Sequence, residues 1–157
     1  MKAIYKRELK AYFQSMTGYV LIAFMVIFTG IYFMAYNLNS GYPYFSYVLM
    51  NINYILIIAV PLLTMRSFAE ERKNKTDQML LSAPVKLFDI VMGKYLAMTT
   101  VFAVPCAVLC LFPLIIKSFG TAYLKVDYLS ILMFFLMGCI YIAIGMFLSS
   151  LTESQII

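Results

Sequence analysis

An all-α integral membrane protein, a polytopic helical bundle with four transmembrane helices, is the fold class this sequence predicts. Three observations predict it. Hydrophobic residues make up 64% of the 157 and charged residues 12%, about half the charged share of an ordinary soluble domain. The 12 basic and 7 acidic residues fall into four clusters, which leaves uncharged runs at 11–65, 95–116 and 128–152. These runs lack apolar–polar alternation, which argues against a membrane barrel. Backbone groups that find no water in lipid must then be satisfied within helices.

The elements follow from the clusters. A helix needs about 20 apolar residues to cross the hydrocarbon core. The two shorter runs each hold one span, and the long one holds two. Its break falls at Asn37, Asn39, Ser40, Gly41 and Pro43, all polar or turn-forming. The predicted spans are 16–36, 45–65, 95–116 and 128–151. Residues 1–14 read as an amphipathic interfacial N-terminal helix. Tyr5, Leu9, Tyr12 and Phe13 share one face with Ile4, and Lys2, Lys6, Arg7 and Lys10 cover much of the rest. A basic start before an apolar run also outlines a secretory leader. The run of about 21 residues is long for one, and no small-x-small cleavage site follows it.

Orientation follows from lysine and arginine. The head carries Lys2, Lys6, Arg7 and Lys10, and the 66–94 segment carries Arg66, Arg72, Lys73, Lys75, Lys86 and Lys94. The opposite side holds only Lys117 and Lys125. The positive-inside rule then predicts a cytoplasmic N-terminus. The net charge of +5 reads as membrane orientation and contact with anionic lipid, with no contiguous basic face for nucleic acid. Tyr36, Tyr42, Tyr44, Phe45, Tyr47, Tyr123 and Tyr128 read as an outer aromatic belt. Tyr12, Phe13, Tyr19 and Tyr95 read as an inner one.

The spans themselves carry no visible reaction chemistry. No charged side chain lies within the predicted boundaries, so no ion-coupling carboxylate is apparent. Histidine is absent, which removes it as a base or metal ligand; no metal or cofactor site is predicted. Cys106, Cys110 and Cys139 read as small apolar filler, since an i,i+4 pair is not a redox CxxC motif. Pro61, Pro105 and Pro113 are tolerated in membrane helices and can kink them. Gly145 and Ser149 form a small-xxx-small pair able to seat another helix. Asn51 and Asn53 could hydrogen-bond across helices or to a substrate, with simple helix contact the favoured reading.

The polar segment 66–94 is the informative one. It has six basic and four acidic residues, which is long and polar for a bare connector. Arg66 to Lys73 can continue span two as a helix. Thr76 is a candidate N-cap for a short helix with Asp77 near its positive end. That helix would present Met79, Leu80 and Leu81 on the aqueous side, with Pro84 as its stop. Val85, Phe88, Val91 and Met92 then share one side of the approach to span three. An apolar triplet held between charged arms suits docking into a partner's groove, the alternative being a loop folded back onto lipid.

Several of these stretches resemble one family. Pro61-Leu62-Leu63-Thr64-Met65-Arg66-Ser67-Phe68-Ala69-Glu70-Glu71-Arg72 resembles the end of span two in bacterial ABC transporter permeases of the ABC-2 type. Lys75 to Val85 is similar to the segment that follows there, and Ile90 to Leu96 to its lead-in to span three. Lys6 to Phe13, Gly18-Tyr19-Val20 and Ser149 to Gln155 also fit, in colinear order. The family often has glycine at the position of Lys75 and a serine or threonine cap at that of Lys86. It usually has six spans, so the resemblance makes this chain an N-terminal four-span portion with the C-terminal spans missing.

The resemblance implies a single transmembrane permease domain over 1–157, in the bacterial cytoplasmic membrane. It implies two ABC ATPase subunits below and a second permease subunit beside it, as a homo- or heterodimer. Residues 66–94 become the coupling segment, with Glu70, Glu71, Arg72, Thr76, Asp77, Met79, Leu80, Leu81 and Pro84 docking on the ATPase. Export is the direction it implies. The sequence has no GxxxxGK[ST] phosphate loop, so ATP hydrolysis is expected on the partner and no enzyme activity on this chain. The alternatives are a non-transporting membrane scaffold or regulatory subunit and a small ion-coupled exporter.

Overall fold

The computed structural model describes residues 2–14, 16–73, 87–120 and 123–151. Among these, every regular element is a helix. In chain order they are α1 (Lys2–Gln14), α2 (Met16–Phe33) with a π-helical extension (Met34–Asn39), α3 (Ser46–Lys73), α4 (Leu87–Leu109), α5 (Phe112–Phe119) and α6 (Leu124–Leu151).

Buried positions recur at helical spacing and explain how these helices pack. On α3, Val48, Ile52, Leu56, Val60 and Thr64 recur every fourth residue, and each is 0% exposed. That row is an i±4 ridge. On α6, Asp127, Ile131, Phe134, Gly138, Ile142, Gly145 and Ser149 form the matching buried stripe. The two helices approach closely where Gly145 faces Thr64: a Cβ at Gly145 would lie 2.5 Å from Thr64 Oγ1. Ser149 Oγ donates to the Thr64 carbonyl at 3.5 Å. The predicted small-residue seat is thus occupied by α3. Met25, Phe33, Phe45, Met98, Val101, Phe102 and Leu109 complete a single apolar core.

The head helix uses the face its sequence marks as apolar. Ile4 and Tyr12 are buried, and Tyr5, Leu9 and Phe13 pack against the core from its edge. Ile4 lies against Gly93, and the Tyr5 hydroxyl is 3.0 Å from Thr100 Oγ1. The amphipathic face therefore packs along α4.

Two elements differ in outline from the sequence reading, and a third follows it. The helix predicted for 95–116 begins at Leu87 and breaks at Cys110 and Leu111. Pro113 stands at the start of α5, where its missing N–H leaves no helical bond unmade. α2 passes its predicted end and widens into the π-helical turn up to Asn39. α3 continues past residue 65 to Lys73, through the charged stretch, as the sequence predicts.

Most of the apolar surface stays outside. Among the described residues, three helical stretches are long and apolar enough to cross a membrane: Gly18–Asn39, Phe88–Phe119 and Leu124–Ser149. The apolar part of α3, Ser46–Pro61, is shorter. Within an 18-residue apolar window of each long stretch, only 28%, 39% and 33% of the residues are buried inside the protein. Ile27, Ile31, Tyr54, Ile58, Leu132, Ile140 and Phe147 are all more than half exposed. Water would not tolerate apolar surface of that extent, whereas lipid is its natural solvent.

Candidate functional site

The candidate site is the end of the bundle at which α3 leaves and α4 returns. Arg66 to Lys73 are helical, as their sequence predicts, so Glu70, Glu71 and Arg72 extend α3 beyond its apolar part. Thr76, Asp77, Met79, Leu80, Leu81 and Pro84 lie outside the described residues. The chain resumes at Leu87, with Asp89 in the first turn of α4, where a carboxylate complements the helix's positive end. Phe88 and Val91 are exposed there, at 69% and 42%.

Both helices that flank this segment are anchored. Thr64 is fully buried, its hydroxyl donates to the Pro61 carbonyl at 3.0 Å, and its own carbonyl receives Ser149. α4 is held by α1. Glu8 on α1 is 7% exposed, Lys94 on α4 is 2% exposed, and Lys94 Nζ stands 4.0 Å from Glu8 Oε2. Arg7 donates to Glu8 Oε1 at 3.0 Å. A buried cation and carboxylate at that separation fix position more than they add stability, because desolvation offsets most of their attraction. Displacing the segment between Lys73 and Leu87 would therefore load two packed contacts, α3 on α6 and α4 on α1.

The opposite end has its own geometry. Asn37, in the π-helical turn, donates from Nδ2 to the carbonyls of Tyr42 at 2.7 Å and Tyr44 at 3.3 Å. Gly41, just before Tyr42, has φ of 67°, a left-handed conformation that glycine adopts without a Cβ clash. Asp127 is 0% exposed, and its Oδ1 accepts the Phe45 N–H at 2.9 Å. That bond ties the start of α3 to the first turn of α6. A cavity of about 340 Å³ opens beside Asn37, Pro43 and Phe119.

Several residues behave differently from their sequence reading. Phe45 belongs to the core, not the aromatic belt: it is 0% exposed and stacks on Phe112 at 5.6 Å. Tyr44 and Tyr123 do form a stacked pair at this end, 5.0 Å apart. Asn51 keeps to the simple helix contact favoured for it, donating within its own helix to the Tyr47 carbonyl at 2.8 Å, and Asn53 Oδ1 is buried without a partner. Glu8, Lys94 and Asp127 were legible only as charges flanking spans, yet all three are buried between helices. The one available signal was position: each falls on the apolar stripe of its own helix. The cysteines are free, and among the described residues no cluster of ligating side chains could hold a metal.

Long helices with lipid-facing surfaces, packed through one shared core, define a multi-pass helical membrane protein. Its family is equally plain. The family model described as ABC-2 family transporter protein matches residues 34–157, and the chain belongs to that family. It is thus a membrane permease component of an ABC transporter. No curated protein and no solved structure matches it.

Proposed function

We propose that this chain is the membrane-spanning subunit of an exporter in the bacterial cytoplasmic membrane, driven by ATP hydrolysis on a separate ATPase. Two ATPase copies act on two permease subunits. The N-terminus, the 66–94 segment and the C-terminal end of α6 face the cytoplasm, in line with the ten lysines and arginines of the head and that segment. The chain crosses the membrane four times, with α3 as the second span. It carries no catalytic residue of its own. The observation that carries this reading, in a member of this family, is the unbroken helix from Ser46 to Lys73. It delivers Glu70, Glu71 and Arg72 beyond the apolar bundle, beside the segment that holds Thr76, Asp77, Met79, Leu80, Leu81 and Pro84.

In this reading the ATPases grip Met79, Leu80 and Leu81, and their closure moves the lower ends of α3 and α4. Each apolar side chain would contribute about 1.5–3 kcal/mol on full burial, reduced by the costs of association. Leu80→Asp should therefore sharply reduce co-purification of the ATPase encoded beside this chain, with membrane insertion unchanged. Lys125→Glu, at the opposite end, serves as the control. Equal retention of the ATPase by the two variants would reject the docking assignment and favour a segment lying on lipid. It would also strengthen the alternative of a non-transporting scaffold.

A further inference from the structure

The cavity at the far end from the coupling segment has a built polar group. Asn37 is 9% exposed and lines it. Both hydrogens of its amide are committed, to the carbonyls of Tyr42 and Tyr44. Turning the amide over would set its oxygen against those two carbonyls, so chemistry fixes its orientation. Oδ1 is then an acceptor shielded from water and without a donor. It sits in a π-helical turn, a rare geometry that recurs at functional sites. The other walls are apolar or aromatic, with Tyr42 48% and Phe119 77% exposed beside Pro43. Among the described residues no charged side chain lines the cavity, so none of them would balance an ionic head.

We propose that this cavity binds a neutral, hydroxyl-bearing amphiphile. A hydroxyl of the ligand donates to Asn37 Oδ1 as the exposed Tyr42 ring yields. The apolar body lies over Tyr42, Pro43 and Phe119. The volume of about 340 Å³ is at the small end for ligand sites and suits one sugar-sized or glycerol-sized head. That head can belong to a membrane lipid or to a dissolved solute. The site is independent of the ATPase and of the coupling segment.

The sequence contains no tryptophan, so Phe119→Trp places a single indole at the cavity wall. The full chain carrying it is reconstituted in phosphatidylcholine nanodiscs, whose headgroups have no hydroxyl donor, and titrated with hexyl β-glucoside. A saturable emission change is expected. Hexyl sulfate, with the same tail and an acceptor-only head, should give none. Gly120 has extended backbone (φ 177°) and open space around it. Adding Gly120→Leu fills the cavity without touching the Asn37 bonds and should raise the half-saturating concentration at least tenfold. In phosphatidylcholine discs that also contain monoglucosyl diacylglycerol, a neutral hydroxyl-bearing lipid, a shift to higher probe concentration identifies a lipid headgroup as the competing occupant; an unshifted curve assigns the site to a dissolved solute. In the unsubstituted chain, hexyl β-glucoside but not hexyl sulfate should slow amide exchange over residues 37–43. A response that fails to saturate, that hexyl sulfate reproduces, or that Gly120→Leu leaves unchanged overturns the proposal.

Discussion

Replacing Asp127 with alanine tests whether one carboxylate fastens the start of α3 to α6. The Phe45 N–H and Asp127 Oδ1 are 2.9 Å apart, and both residues are 0% exposed. Phe45 also begins the hydrogen-bond ladder of α3, since its carbonyl accepts from Val48 at 3.0 Å and Leu49 at 3.3 Å. Asp127→Ala leaves that N–H buried without an acceptor, which costs about 1–3 kcal/mol. The change also removes Oδ2, which has no partner, and this offsets part of the loss in global stability. The local signature survives the offset. Hydrogen exchange at the Phe45 amide, measured by mass spectrometry in nanodiscs, should accelerate roughly 5- to 150-fold, the ratio those energies correspond to. Asp127→Asn keeps an oxygen in the Oδ1 position and should stay within a few-fold of the parent. If the alanine variant exchanges like the parent, or the asparagine variant as fast as alanine, the carboxylate is not what holds the helix start.

Two more outcomes are expected. Gly145→Ala forces a methyl toward Thr64 and should lower unfolding stability by about 1–3 kcal/mol, read from a detergent denaturation midpoint. Thr64→Ala in the same chain should recover part of that loss, because the clash needs both groups. With Cys106, Cys110 and Cys139 replaced, a cysteine introduced in the 37–44 loop or between Lys117 and Asp127 should be labelled from outside intact cells. One near Lys73 should be protected, and the reverse pattern would overturn the proposed orientation.

What the sequence makes legible here is what a bilayer imposes on composition. Charge clusters separate the apolar helices because an unpaired charge in hydrocarbon is expensive. The head helix shows its buried face because an aqueous side gives it contrast. Helices that face both lipid and protein lose that contrast, since leucine suits either neighbour. This is why Phe45 reads as an interfacial anchor although it lies in the core. Asp127 and Lys94 are hidden for a related reason. A charge at the end of an apolar run reads as solvated unless its helical phase is followed, and Asp127 falls in phase with Ile131 and Phe134. The break at Cys110 and Leu111 has a weaker signal still. Pro105 and Pro113 both stand in the apolar run, yet only Pro113 begins a helix, because neighbours decide which proline interrupts the ladder. The residues proposed for coupling are legible only as composition and family likeness.

The close approach of Gly145 to Thr64 has a mechanical consequence. α3 is one helix of 28 residues, roughly 42 Å long at 1.5 Å per residue. That contact is off centre. From Thr64 the arm toward Lys73 is roughly 14 Å and the arm toward Ser46 roughly 27 Å. If α3 rocks on that contact as a rigid rod, the short arm is the driven one, and its displacement is about doubled at the other face of the bundle. A push of about 2 Å at Lys73 would carry the start of α3 about 4 Å, farther than the 2.9 Å bond between Phe45 and Asp127 can stretch. In that geometry the Asp127 contact is a detent, which holds the long arm until the force on the short arm is large enough to release it.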